Sequence, residues 1–185
     1  MGASVDPSVR VRPRCFVALR PDAATVAQLD ALAGELERIC PRARRVAPEN
    51  FHLTLAFIGA LEVNHASGIG EQLAAIRAPD ATWTIDRTGC FERARVVWAG
   101  GPTVVPLEVL VSLVRKGLDT LGIAYDRKAF LGHVTLLRRV ADFRAQSLTH
   151  PIDWRLAQPE LMVSEPNAQR RTRYRPWSEW QAEQT

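Results

Sequence analysis

Asn50-Phe51-His52-Leu53-Thr54-Leu55-Ala56-Phe57-Ile58-Gly59 and, about eighty residues later, Gly132-His133-Val134-Thr135-Leu136-Leu137-Arg138 carry one pattern twice: His, an apolar residue, Thr, Leu. Each copy reads as a strand, the first running from Phe51 to Ile58 with Gly59 as its stop and the second from His133 to Val140. Strand side chains alternate between faces, so His52 and Thr54 share one face while Leu53, Leu55 and Phe57 take the other. The same parity pairs His133 with Thr135. A polar His-x-Thr face backed by an apolar one is half of a wet cleft built on a sheet. A lone histidine on a strand is more often a packed or surface residue than a catalyst. Here two of the chain's four histidines open the same tetrapeptide, and the pairing points to chemistry.

Outward from these strands the chain alternates unevenly. Cys15–Leu19 is a short apolar run between Pro13 and Pro21 and reads as a buried strand. From the cap at Asp22, Val26, Leu29, Leu32, Ala33, Leu36 and Ile39 recur at helical steps until Pro41 forbids continuation. Arg44–Val46 reads as a short strand, Ala66–Ala78 as a helix, and Thr82–Arg87 and Arg95–Ala99 as strands flanking a turn at Thr88-Gly89. A third helix starts at Pro106 and stops at Gly122. Strands at Ile152–Leu156, Glu160–Ser164 and Thr172–Trp177 complete the chain, with a loop over residues 165–171. This order is not the steady alternation of a doubly wound parallel sheet; it is that of a mixed or antiparallel α+β fold. No Pro/Gly/Ser linker divides it, so residues 14–185 read as one domain behind a flexible leader, residues 1–13.

Composition narrows the function. The 185 residues are 46% hydrophobic and 24% charged, the balance of a globular protein. No apolar run approaches the roughly 20 residues that span a bilayer, and residues 1–7 have no apolar stretch of signal-peptide length, so a cytoplasmic protein is expected. Cys15, Cys40 and Cys90 are odd in number and widely spaced, which suggests reduced packing thiols. The formal charge is +4, a mild bias toward anionic partners, carried almost entirely by arginine. Gly100-Gly101-Pro102 has no phosphate-loop spacing, so neither ATP nor NAD is implied.

Two imidazoles converging on one substrate suit a reaction that removes a proton on one side and delivers one on the other near neutral pH. Threonine hydroxyls two residues on can donate to phosphate oxygens, and guanidinium groups can offset charge in a five-coordinate transition state. That is metal-free phosphodiester chemistry. Paired histidines could instead bind a metal, but each motif supplies one ligand and no acidic residue lies in either tetrapeptide.

With these motifs, the chain resembles the 2H phosphoesterase superfamily and, within it, the bacterial RNA 2′,3′-cyclic phosphodiesterase (2′-5′ RNA ligase) family. The likeness runs from Arg14–Leu19 through Asn50–Gly59, the Phe91 and Val97-Trp98 segment and Phe130–Arg138 to Tyr174. It implies a bilobal α+β fold: two mainly antiparallel sheets, pseudo-twofold symmetry around a central cleft, helices on the outside. It implies opening of 2′,3′-cyclic phosphate ends of RNA to 2′-phosphate without metal or cofactor, and 2′-5′ ligation in reverse. By position, His52 is the proton donor and His133 the acceptor, while Thr54, Thr135 and Arg138 bind the phosphate. The family carries Pro where this chain has Gly132, which frees the backbone before His133. Strict strand parity places Arg139, not Arg138, on the His133 face.

Two alternatives stay open: a phosphodiesterase for small cyclic nucleotides, and a non-catalytic RNA-binding module. His65 and His150 read as exposed loop residues, and Trp83, Trp98, Trp154, Trp177 and Trp180 as core or lobe-interface residues. The run Arg170-Arg171-Thr172-Arg173-Tyr174-Arg175 reads either as an RNA path or as a solvated edge with Tyr174 in the core. A monomer is expected.

Overall fold

The computed structural model describes residues 12–168 and 172–184. Most of the expected leader, together with Arg170 and Arg171, lies outside the described residues. The described residues build nine strands in two antiparallel sheets. The first sheet has the order β3-β1-β8-β9, with β1 at Arg14–Leu19, β3 at Leu53–Ala60, β8 at Glu160–Pro166 and β9 at Thr172–Pro176. The second has the order β2-β6-β5-β4-β7, with β2 at Arg44–Arg45, β4 at Thr82–Phe91, β5 at Val96–Gly100, β6 at His133–Arg138 and β7 at Gln146–Arg155. Set aside β2, and each sheet is a histidine-motif strand followed by three antiparallel neighbours, the twofold arrangement that the family resemblance implied.

Of the helices α1 (Ala23–Ile39), α2 (Ala66–Ala74) and α3 (Val105–Thr120), α1 and α3 are crossed between the sheets, while α2 follows β3 and packs on β8 of the same sheet. The chain leaves the first sheet from β1 into α1, yet α1 packs on β6 and β7; it leaves the second from β5 into α3, which packs on β3. One apolar cluster therefore runs through both sheets, from Val17 and Leu53 through Leu29 and Leu110 to Val97 and Val134. Asp22 caps α1 as its sequence suggests, accepting from the Thr25 amide at 2.7 Å, a contact worth about 1 kcal/mol. Gly122 ends α3 with φ at +66°, while the Gly122 and Ile123 amides reach the Asp119 and Leu118 carbonyls. That is a Schellman stop, and its left-handed residue favours glycine. No helix among the described residues is long and apolar enough to cross a membrane.

Several expected boundaries move. Thr88-Gly89 is not a turn: β4 continues to Phe91, and the chain reverses at residues 92–95. Gly89 lies in register with Trp98, and a Cβ built there would sit 2.2 Å from Trp98 Cζ2, so the missing side chain makes room for an indole ring. Strand β7 begins at Gln146, ahead of the expected Ile152, and includes His150. It is an edge strand exposed over residues 146–150 apart from the half-buried Leu148, so it shows no alternating pattern and tolerates Pro151. Helix α2 stops at Ala74, short of the expected Ala78. The last strand ends at Pro176, and a short helix α4, Trp177–Ala182, follows with Trp180 buried.

Gly89→Ala is expected to destabilise the protein by about 1–3 kcal/mol, the usual range for overpacking. Urea denaturation followed by tryptophan fluorescence checks this, and an unchanged midpoint would mean the Trp98 ring yields freely.

Candidate active site

The two histidines sit at matching places. His133 opens β6, and His52 immediately precedes β3. Each donates its Nδ1–H to the backbone carbonyl two residues upstream, His52 to Asn50 and His133 to Leu131, both at 2.7 Å. A carbonyl can only accept, so these bonds fix the neutral tautomer and leave Nε2 as the basic nitrogen. Aromatic rings bracket both imidazoles. Phe16 and Tyr174 lie 4.9 and 4.8 Å from the His52 ring, and Phe91 and Trp98 lie 4.9 and 6.4 Å from that of His133. Trp98 is thus part of the site, not of the core or lobe interface where composition placed it; Trp83, Trp154 and Trp180 are buried.

After each histidine the strand carries one extra residue. Opposite β1, Ala18 pairs with Thr54 but Val17 pairs with Ala56, so Leu55 is bulged. Opposite β5, Trp98 pairs with Thr135 but Val97 pairs with Leu137, so Leu136 is bulged. A bulge reverses the facing of everything beyond it. Strict alternation therefore fails for two residues. Phe57 leaves the apolar face and pairs with Phe16 on the histidine side, 40% exposed with the Arg14 guanidinium 5.5 Å from its ring centroid. Arg138 comes to the His133 face, while Arg139 turns out of the strand at φ +62°. Arg138 points its guanidinium toward the Tyr174 hydroxyl at 3.5 Å, and its charge acts on both imidazoles.

The electrostatics follow from enclosure. Burial pushes the His52 pKa down to about 4, with the charges of His133 and Arg138 adding to it and the Asn50 carbonyl opposing. Burial and Arg138 lower His133 as well, against the Leu131 carbonyl. Both shifts favour the neutral imidazoles. Thr54 and Thr135 are half-buried beside their histidines, and among the described residues neither hydroxyl has a hydrogen-bond partner. No group of three His, Cys, Asp or Glu capable of holding a metal occurs among the described residues.

Gly132 is held more tightly than its sequence suggests. A Cβ there would meet Trp83 Cζ2 at 2.9 Å, and Trp83 is fully buried with its Nε1–H on the Pro102 carbonyl at 3.0 Å. The backbone before His133 is thus pressed against a fixed ring. Sequence reasoning also missed Asn50. Its carbonyl orients His52, its Nδ2 donates to the Thr172 carbonyl at 3.0 Å, and its Oδ1 accepts from the Tyr174 amide at 2.8 Å. Asn two residues before the motif histidine was the only available signal. In the arginine run, Arg175 is structural, 3% exposed and paired with Glu165 and Glu183. His65 and His150 are exposed, away from the cleft.

Comparisons with known proteins show which family the chain is similar to. The family model described as LigT-like phosphoesterase matches residues 19–98. The RNA 2′,3′-cyclic phosphodiesterase of Escherichia coli strain K12 is 33% identical over 140 residues, covering 74% of this chain and 78% of that protein. A protein of the same name from Aeropyrum pernix is 37% identical over 99 residues, 51% of this chain and 56% of its own. The crystal structure of E. coli LigT complexed with 3′-AMP superimposes with a TM-score of 0.77 at 28% identity, covering 89% of this chain and 95% of that one.

Because the folded His52 pKa lies below the unfolded value, the unfolded chain binds protons first as pH falls. Its contribution to stability is present above about pH 6.5 and lost toward pH 4. Urea midpoints should therefore fall more steeply over that window in wild type than in His52→Gln. Inorganic phosphate placed between the rings should raise both imidazole titrations, as read by NMR of the Cε1 protons.

Proposed function

The chain belongs to the LigT-like phosphoesterase family of the 2H superfamily, and on that premise we propose that it opens 2′,3′-cyclic phosphate ends of RNA to 2′-phosphates by paired-histidine catalysis. The observation that carries the reading is the twofold Nδ1–carbonyl lock, which leaves two Nε2 atoms as acid and base beside one arginine.

In the forward reaction His133 Nε2 takes a proton from water as the water oxygen bonds to phosphorus. The P–O3′ bond breaks, and His52 Nε2–H delivers its proton to O3′. Thr54, Thr135 and Arg138 hold the phosphate oxygens, where the extra negative charge of the five-coordinate state develops. The assignment of donor to His52 follows the family likeness. Burial favours neutral His52 at pH 7, so its donor form arises when the phosphate anion binds and offsets the charges that depress it. With a 5′-hydroxyl in place of water as the nucleophile, the same groups form a 2′-5′ phosphodiester and release the 3′-hydroxyl, and the reverse of that step cleaves the linkage. Both lobes of the cleft come from one chain, which supports action as a monomer, and RNA as substrate supports a cytoplasmic site of action.

Purified protein should convert a short RNA ending in 2′,3′-cyclic phosphate to the 2′-phosphate at the same rate with and without chelator. His52→Ala and His133→Ala should each lower turnover by about two to four orders of magnitude, with His65→Ala and His150→Ala as controls. Resolving 2′- from 3′-phosphate products checks the regiochemistry. RNA binding without turnover in the wild type would instead make the chain a binding module.

A further inference from the structure

Strands β2 and β6 set Arg44 directly opposite Arg138. Directly opposed residues in an antiparallel pair share a face with Cβ atoms about 5 Å apart, and like charges there destabilise the sheet. Among the described residues no carboxylate pairs with either guanidinium; the one contact is that of Arg138 with the Tyr174 hydroxyl. Arg45 on β2 and Arg175 on β9 show the structural alternative. Arg45 reaches the Asp30 carboxylate and carbonyl, and Arg175 is sealed between Glu165 and Glu183. Arg173, two residues before Arg175, is exposed and has no ion pair among the described residues.

These uncommitted arginines meet in one groove of about 710 Å³, lined by Arg44, Arg138, Asn50, Thr172, Arg173 and Tyr174. Its one carboxylate among the described residues is the exposed Glu49. The groove starts beside His52, whose ring is 4.8 Å from that of Tyr174. Its volume falls in the roughly 300–1,000 Å³ that hold a nucleotide-sized ligand, more than one phosphate needs. A 2′,3′-cyclic phosphate is a 3′ terminus, so the rest of such a chain can lie only on its 5′ side.

We propose that this groove holds the phosphodiester backbone on the 5′ side of the reacting phosphate, with Arg44 and Arg173 binding it. The substrate class is then an oligoribonucleotide end and not a cyclic mononucleotide. The assignment rests on the phosphodiesterase reading above. Guanidinium forks onto phosphate in two parallel bonds, and a phosphate bridging Arg44 and Arg138 removes the repulsion that the bare sheet carries.

The test compares kcat/KM for 2′,3′-cyclic AMP and for a short RNA ending in the same cyclic nucleotide, over a series of salt concentrations. The proteins are wild type and Arg44→Gln/Arg173→Gln, which keeps the side-chain stems and removes the charge. Wild type should favour the RNA by about tenfold or more. The double variant should lose that preference and flatten the slope of log kcat/KM against log salt by about 1.4, or 0.7 per lost contact on a single strand. Its melting temperature should not fall. Equal turnover of both substrates by wild type, an unchanged preference in the variant, or an equal loss on both substrates would overturn the groove assignment while leaving the reaction standing. Turnover of neither substrate by wild type would overturn the phosphodiesterase reading and this assignment with it.

Discussion

The geometry of the site depends on the hydrogen bonds of Asn50. A side-chain amide is chemically a peptide group, and here it behaves as a one-residue strand added to the edge of β9, donating to the Thr172 carbonyl and accepting from the Tyr174 amide. Those partners also fix which way the amide faces, since a carbonyl needs a donor and an N–H an acceptor. Aspartate could satisfy Tyr174 but not Thr172. The same residue's carbonyl holds His52. The far edge of the first sheet is thereby tied to the segment that joins β2 to β3, and Tyr174 is carried against His52 and within reach of Arg138 on the second sheet.

That tie explains how much of the molecule was legible in the sequence. The α+β class, the capped first helix, the Gly122 stop and both histidine strands were readable because each rests on local chemistry: periodicity, a cap, a left-handed residue. The paired histidines and threonines were readable because the motif repeats. Arg138 and Phe57 were not placed by alternation, since each faces the cleft only through a bulge at Leu55 or Leu136, and both bulged residues look like ordinary apolar strand positions. Gly89 was misread for the opposite reason. Glycine signals a turn far more often than a slot for an indole ring on the next strand, and only the register with Trp98 separates the two. The role of Asn50 was illegible, because its partners lie more than 120 residues downstream.

The site is assembled against the stability of the empty protein. Two imidazoles are kept neutral by enclosure, and two arginines face each other across β2 and β6 with no carboxylate paired to either among the described residues. Each arrangement costs free energy until an anion arrives, so folding must be driven elsewhere. The crossed helices do this: by packing α1 on the second sheet and α3 on the first, they give both lobes one apolar cluster behind the cleft. Opening the lobes would expose that cluster, which holds the histidines at a fixed separation without any direct bond between them.

Twofold symmetry alone would not make a catalyst, because acid and base must differ at the moment of reaction. The scaffold supplies equivalent histidines with equivalent carbonyl locks, and the sequence breaks the equivalence five residues further on. Phe57 stands at that place in one strand and Arg138 in the other, both turned to the histidine side by matching bulges. Arginine at one position only gives the cleft an electrostatic direction: anionic oxygen is favoured toward Arg138, and with it toward Tyr174 and the His52 side. A substrate entering with its charge so oriented meets two chemically identical rings in unlike fields, and the proposed division into proton donor and acceptor rests on that difference.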